Sequence, residues 1–416
     1  MRTQQQVPLA SVDVVPTMTS RPSAVYLLAS SPYPPVSGNK LRSTMIARAL
    51  GERFDVTVVA LDDLDAPGAL GEAARRLLAR RQSVRALAMD ATAAVLSGRP
   101  VLLQRSIRAG CSSAVAELLR RIGPDLVLLG RPLVGPYAAA AHAVGARVVI
   151  DADERMTTVA RAIAQSPRAP VARRLRAAVE GAAILSRTER RAYRTADQLW
   201  VSADPECDAF QSVLPSADIR VVPNAVEMPD VLPACPEAAA VAFVGWYRYP
   251  PNEAAAIELA ADIMPAVRAA GGPSRLVLIG PDPTPAMRRA ARGQTDTLTG
   301  EVPDVRSALR DAGILAVPIR SAGGTRVKIL DAIACGVPVV STGLGIAGLG
   351  LREGTEVLVA ETPGDFAVAI RRLANDASLR ASLAAAAFGS ARARFSPPAT
   401  ASAIFEAVGD LAPDRP

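Results

Sequence analysis

Residues 318–342 run Pro-Ile-Arg-Ser-Ala-Gly-Gly-Thr-Arg-Val-Lys-Ile-Leu-Asp-Ala-Ile-Ala-Cys-Gly-Val-Pro-Val-Val-Ser-Thr, and they concentrate the chemistry of the chain. Gly323 and Gly324 interrupt an apolar run, Arg326 and Lys328 follow, and a helical pattern carrying Asp331 begins. Gly336 and Pro338 stop that helix, and Val339-Val340 starts a buried strand. Backbone N–H groups of a glycine loop that opens a helix form an anion site, and both cations fall within its first turn. An acidic side chain one turn further on can accept hydrogen bonds from ribose hydroxyls. These residue types in this order suit a sugar nucleotide.

Three more groups carry chemistry. Ser30-Ser-Pro-Tyr-Pro-Pro-Val-Ser-Gly38-Asn39-Lys40 follows a first apolar strand, where a glycine and a helix start fit either a ligand loop or a plain strand–helix turn. Phe243-Val-Gly-Trp-Tyr-Arg-Tyr-Pro-Pro-Asn252 occupies the same relative place later on. Its Arg248 fits a diphosphate through a bidentate fork, or is an ordinary exposed loop arginine. Asp151-Ala-Asp153-Glu154-Arg155 ends another apolar strand. Its carboxylates could hold a metal or acceptor hydroxyls, or act as a base, and at least one also suits a helix cap; Asp151 and Asp153 are the candidates.

The elements that must position these groups alternate. Strands are expected at Val25–Ala29, Val56–Leu61, Leu126–Leu129, Ala146–Ile150, Leu199–Ser202 and Ile219–Val222, with a long helical region over Pro67–Leu119. The rhythm restarts at Val241–Gly245 and continues through Arg275–Gly280, Leu298–Gly300, Ile314–Val317, Val339 and Glu356–Val359. This is the βαβ pattern of parallel sheets covered on both faces, an α/β fold of two doubly wound Rossmann-like domains. The expected division is a flexible arm over 1–23, a first domain over 24–225, a linker over 226–240 and a second domain over 241–396. A final helical segment over 397–416 returns to the first domain.

Composition narrows the class. A chain of 416 residues exceeds one ordinary core, and half of it is hydrophobic, as in a packed globular enzyme. No apolar run is long enough for a membrane span, and residues 1–22 lack the apolar core of a signal peptide. Four scattered cysteines (Cys111, Cys207, Cys235, Cys335) suggest reduced structural thiols, without zinc spacing. One histidine, His142, reads as a helix residue, and no GxSxG is present, which disfavours a Ser-His-Asp hydrolase. The net charge of +7 sits in the first half: residues 1–235 carry 29 Lys and Arg against 22 Asp and Glu, residues 236–416 carry 18 of each. Solvated helix faces account for such an excess; an anionic lipid surface or acidic acceptor is the sharper alternative. Nucleic acid is not expected, because aromatics make up 4% of the chain and do not interleave with the arginines.

In order and spacing, several segments together resemble the group 1 (family 4) retaining glycosyltransferases of GT-B fold, closest to sugar transferases with a Gly-Thr-Arg-x-Lys-Ile-Leu-Glu-like signature. These are the Pro-Tyr-Pro-Pro-x-Ser-Gly-Asn-Lys loop, Val222-Pro-Asn-Ala-Val226, the Phe-Val-Gly…Pro-Asn stretch, Gly300-Glu-Val-Pro-Asp304 and 318–349. The resemblance spans almost the whole chain and implies two domains facing across a cleft. It implies that Gly38, Asn39 and Lys40 lie beside the donor diphosphate. Arg248 and Lys328, with Arg326 as substitute, would neutralise that diphosphate, and Val302 would meet the nucleobase through its backbone. Asp331 stands where the family has the second glutamate of E-x7-E, which holds the ribose. The first glutamate's position is Gly323, so donor-sugar contacts would come from amides of Gly323, Gly324 and Thr325.

The resemblance further implies transfer of a sugar from a nucleotide-diphosphate sugar to a hydroxyl acceptor with retention, without a cofactor or metal. Asp151 or Asp153 would orient the acceptor or stabilise oxocarbenium character. The expected location is cytoplasmic, with peripheral membrane contact through the basic first domain. The competing readings are a non-catalytic nucleotide-sugar-binding protein and a sugar-nucleotide epimerase of similar fold; the latter needs more acid/base residues than a single histidine supplies.

Overall fold

The computed structural model describes residues 21–33, 38–66, 68–97, 99–153, 155–165, 171–179, 185–293, 295–321 and 327–409. Apart from 21–23, the expected N-terminal arm lies outside them. The chain divides into two units. One comprises residues 1–160, 178–222 and 401–416; the other comprises 161–177 and 223–400.

The first unit is built on β1 (Ser23–Leu28), β2 (Asp55–Ala60), β3 (Leu126–Gly130), β4 (Arg147–Asp153), β5 (Gln198–Val201) and β6 (Ile219–Val221). All pair in parallel, in the order β2-β1-β3-β4-β5-β6. Alternate side chains feed two cores. Val25, Leu27, Val127 and Leu129 pack in one layer, while Ala24, Tyr26, Leu126 and Leu128 pack in the other. Strands covered on both faces must be apolar throughout, which is why they read as continuous hydrophobic runs. The helix Pro397–Gly409 contributes Ala401, Ile404, Ala407 and Val408 to the second of these layers. Gln198 ties it down by donating to the Ala407 carbonyl at 3.1 Å.

The second unit carries β7 (Ala240–Val244), β8 (Leu276–Ile279), β9 (Asp296–Gly300), β10 (Gly313–Val317), β11 (Val339–Ser341) and β12 (Leu358–Val359). Their order is β12-β11-β10-β7-β8-β9, again all parallel. One contiguous apolar cluster from Val226 to Phe395 fills this unit.

The strand order reverses between β1 and β3 in the first sheet and between β7 and β10 in the second. At such a switch point the loops leaving the carboxyl ends splay apart, and ligands of doubly wound sheets bind there. The single helical region expected over 67–119 is four helices, Gly68–Gln82, Val84–Ser97, Val101–Arg108 and Cys111–Ile122. Pro100 and a left-handed Gly110 (φ 87°) interrupt the later part, where helical periodicity continues through breaks that only backbone geometry reveals.

Candidate functional site

In the second unit the loop leaving β7 and the helix Val327–Ala334 following β10 bring two cations into one hydrogen-bonded frame. Lys328 Nζ donates to Asn252 Oδ1 at 2.7 Å and lies 4.2 Å from the centre of the Phe243 ring. Asn252 Nδ2 donates to the Trp246 carbonyl at 3.1 Å, so the amide bridges the lysine to the β7 loop. At the same loop Arg248 Nε lies 3.0 Å from Asp282 Oδ2, and Trp246 Nε1 donates to that oxygen at 2.8 Å. Asp282, directly beyond β8, adopts φ 58°, a left-handed conformation uncommon for a residue with a side chain.

Two glycines make this frame fit. A Cβ on Gly245 would stand 2.8 Å from Asn252 Cγ, and one on Gly280 (φ 134°) would collide with the Gly245 carbonyl oxygen. The β7 and β8 loops therefore approach backbone to backbone, a distance only glycine permits.

Asp331 lies on the same helix as Lys328, three residues on. Arg306 donates to its Oδ1 through Nε at 3.1 Å and Nη2 at 3.0 Å. Arg306 is aimed by its place in the first turn of the helix Val305–Ala312, whose cap Asp304 accepts from the Arg306 and Ser307 amides. Burial pushes the Asp331 carboxyl above the ordinary aspartate range, and the Arg306 guanidinium pulls it back in part. Val302 packs against the core beside Gly300 (φ 70°). Gly323, Gly324, Thr325 and Arg326 lie outside the described residues.

The first unit holds a second polar group at its own switch point. Gly38 begins the helix Gly38–Leu50, and a Cβ there would touch nothing, so crowding does not require glycine. Lys40 Nζ donates to the Tyr33 carbonyl at 3.3 Å. Asn39, after β1, accepts from Arg131 Nη2, after β3, and the same guanidinium nitrogen reaches Asp153 Oδ2 at 2.8 Å. Arg131 (φ 74°) and Asp153 (φ 53°) both hold left-handed backbones. The β4–β5 register shifts between Asp151 and Asp153, an irregularity of the kind that re-aims a side chain beside a functional edge.

Asp151 and Asp153 have different surroundings. Asp151 is buried against Arg42, whose Nε and Nη2 lie 2.9 and 2.7 Å from Oδ1, and Arg42 Nη1 donates to the Val222 carbonyl. Burial pushes Asp151 up, opposed by Arg42. Burial also works against the Arg42 charge, but Asp151 and Asp153 outweigh it and hold the guanidinium above its ordinary value. Asp153 Oδ1, in contrast, is buried with no hydrogen-bond donor among the described residues; Arg42 Nε lies 3.9 Å from it.

His142 sits at the amino ends of the strands, 3.3 Å from Asp197, and joins neither group. The cysteines form no disulfide, and burial pushes Cys111 and Cys335 up to about 11, leaving them protonated. Among the described residues no cluster of three His, Cys, Asp or Glu is arranged to hold a metal, and no helix is long and apolar enough to cross a membrane. Sequence reasoning did not find Asn252, Asp282, Arg306, Arg42 or Arg131. The nearest sequence signal was the Pro-Pro-Asn that closes the β7 loop.

Residues 238–376 match the family described as Glycosyl transferases group 1. Anabaena Alr3699/HepE in complex with UDP is similar in structure, with a TM-score of 0.62 and 16% identity over 93% of this chain and 100% of that one. Sucrose-phosphate synthase (tll1590) from Thermosynechococcus elongatus gives 0.64 and 16% over 94% of this chain and 99% of that one. The lipopolysaccharide outer core galactosyltransferase WaaB gives 0.55 and 13% over 94% and 100%. Among curated proteins none matches the sequence significantly. The architecture, two parallel six-stranded sheets flanked by helices, is the GT-B fold of glycosyltransferases.

Proposed function

We propose that this chain, whose second unit carries a group 1 glycosyltransferase match, is a retaining glycosyltransferase that moves a sugar from a nucleotide-diphosphate sugar to an acceptor hydroxyl. The observation that carries this reading is the frame joining Lys328 and Arg248 through Asn252, Trp246 and Asp282 at the β7–β10 switch point. It sets the Lys328 ammonium and the Arg248 guanidinium, the latter paired with Asp282, where a doubly wound sheet binds phosphates. Alr3699/HepE, similar in fold, has been solved with UDP and with UDP-glucose, which supports a nucleotide-sugar donor.

In this reading the anomeric C–O bond to the diphosphate breaks as the acceptor oxygen bonds to the same carbon. The acceptor proton passes to a diphosphate oxygen on the face of attack, which keeps the anomeric configuration. Negative charge grows on the leaving diphosphate, and Arg248 and Lys328 stabilise it without a metal. Asp331 Oδ1 is held by Arg306, leaving Oδ2 for the ribose hydroxyls. Residues 323–325, outside the described residues, are assigned to the donor sugar and Val302 to the base; Gly38, Asn39 and Lys40 are assigned to the donor as candidates on the first unit.

For the acceptor we assign Asp153 ahead of Asp151. Asp153 keeps a buried oxygen without a donor among the described residues, whereas Asp151 is committed to neutralising Arg42. A location in the cytoplasm, with the basic first half of the sequence, residues 1–235, near an anionic membrane, completes the proposal. The test is acceptor-dependent release of nucleoside diphosphate. Arg248→Ala combined with Lys328→Ala should abolish it; release at the wild-type rate would sink the assignment.

A further inference from the structure

Trp246 differs from every other aromatic residue of the chain. Trp200, Tyr26, Tyr247, Phe210, Phe243 and Phe366 are fully buried, whereas Trp246 is 52% exposed and is the one exposed aromatic ring among the described residues. A single exposed apolar side chain is ordinary. This one is also immobilised: its indole N–H donates to Asp282, whose left-handed backbone presents the carboxylate to the β7 loop. The same carboxylate pairs with Arg248. A flat apolar face is thereby fixed beside a guanidinium, on the edge of the sheet where the diphosphate is proposed to bind.

We infer that Trp246, clamped by Asp282, is a stacking subsite for a ring carried on the diphosphate ligand, with Asp282 positioning both Trp246 and Arg248. The inference rests on the donor reading above. Indole faces stack on nucleobases and on the C–H faces of sugar rings, and fixing the indole beforehand removes the ordering cost of that contact. A nucleoside diphosphate sugar offers two such rings, one on either side of the phosphates.

The chain has two tryptophans, and Trp200 is fully buried, so emission that changes on ligand binding and vanishes in Trp246→Phe reports on position 246. Titrations use UDP-, GDP-, ADP- and dTDP-glucose, the corresponding nucleoside diphosphates, and inorganic pyrophosphate. The sugar nucleotide that raises the melting temperature should change Trp246 emission. Trp246→Ala should weaken it about fivefold or more while pyrophosphate binding changes less than about twofold, and Trp246→Phe should restore most of the affinity. Asp282→Ala should weaken the sugar nucleotide by releasing Trp246, while pyrophosphate, relieved of a neighbouring carboxylate, should bind at least as well. Weakening shared by the nucleoside diphosphate identifies the nucleoside ring; weakening confined to the sugar nucleotide identifies the donor sugar. A bound donor with unaltered emission, and unaltered affinity in Trp246→Ala, overturns the inference and leaves the donor reading intact. If no sugar nucleotide binds the wild type, the donor reading fails and this inference fails with it.

Discussion

Asn252 holds Lys328 at a fixed point: the ammonium lies 2.7 Å from the amide oxygen and 4.2 Å from the centre of the buried Phe243 ring. A surface lysine samples many rotamers, and ordering it on a ligand costs up to about 2 kcal/mol. Here much of that ordering precedes the ligand. The amide oxygen and the ring face both attract a positive charge to this point.

Asn252→Ala should therefore weaken donor binding about tenfold while changing the melting temperature little. Calorimetric titration of the donor, beside a thermal melt, checks both. Loss of fold would instead give Asn252 a mainly structural role.

Donor binding should depend on pH through Asp331. A ribose hydroxyl donates to the ionised carboxylate, so protonation competes with the donor. Since burial raises the Asp331 pKa, affinity should begin to fall on acidification at a higher pH than an ordinary aspartate would cause, and recover above it. Asp331→Asn should weaken binding at neutral pH and flatten this limb. Donor Kd measured from pH 7 downward in both proteins decides it.

Gly280→Ala places a methyl against the Gly245 carbonyl on a backbone of φ 134°. It should cost about 2 kcal/mol or more and, by displacing the β7 loop, loosen Asn252 as well. Chemical denaturation and donor titration should fall together. Gly38→Ala, which would meet nothing, serves as the contrasting variant for stability.

Much of this architecture was legible in the sequence because strands buried on both faces must be apolar throughout: Leu126–Leu129 and Ile314–Val317 could hardly be anything else. The positions of Arg248, Lys328 and Asp331 near the carboxyl ends of strands were legible from the same rhythm. Their partners were not. Lys328 and Asn252 are 76 residues apart, Arg248 and Asp282 are 34, and Arg42 and Asp151 are 109. Pairings set by sheet order leave no local spacing to read. The unequal surroundings of Asp151 and Asp153 were hidden for the same reason, since Arg42 and Arg131 reach them from distant segments.

Arg42 and Asp151 form an ion pair almost wholly removed from water. Arg42→Met leaves Asp151 as an uncompensated buried carboxylate and should destabilise the protein by about 3–5 kcal/mol. Equilibrium unfolding in urea measures it. A loss below about 1 kcal/mol would show that water reaches the pair.

The central claim is that Arg248 and Lys328 hold the diphosphate of a sugar nucleotide. Its most direct measurement is a thermal melt of the wild type and of the Arg248→Ala, Lys328→Ala double variant across UDP-, GDP-, ADP- and dTDP-glucose. At a hundredfold excess over Kd a bound donor stabilises by about 2.7 kcal/mol, a shift of several degrees or less in a protein of this size. The wild type should show that shift with at least one donor and the double variant should show none. Equal shifts in both proteins would contradict the account.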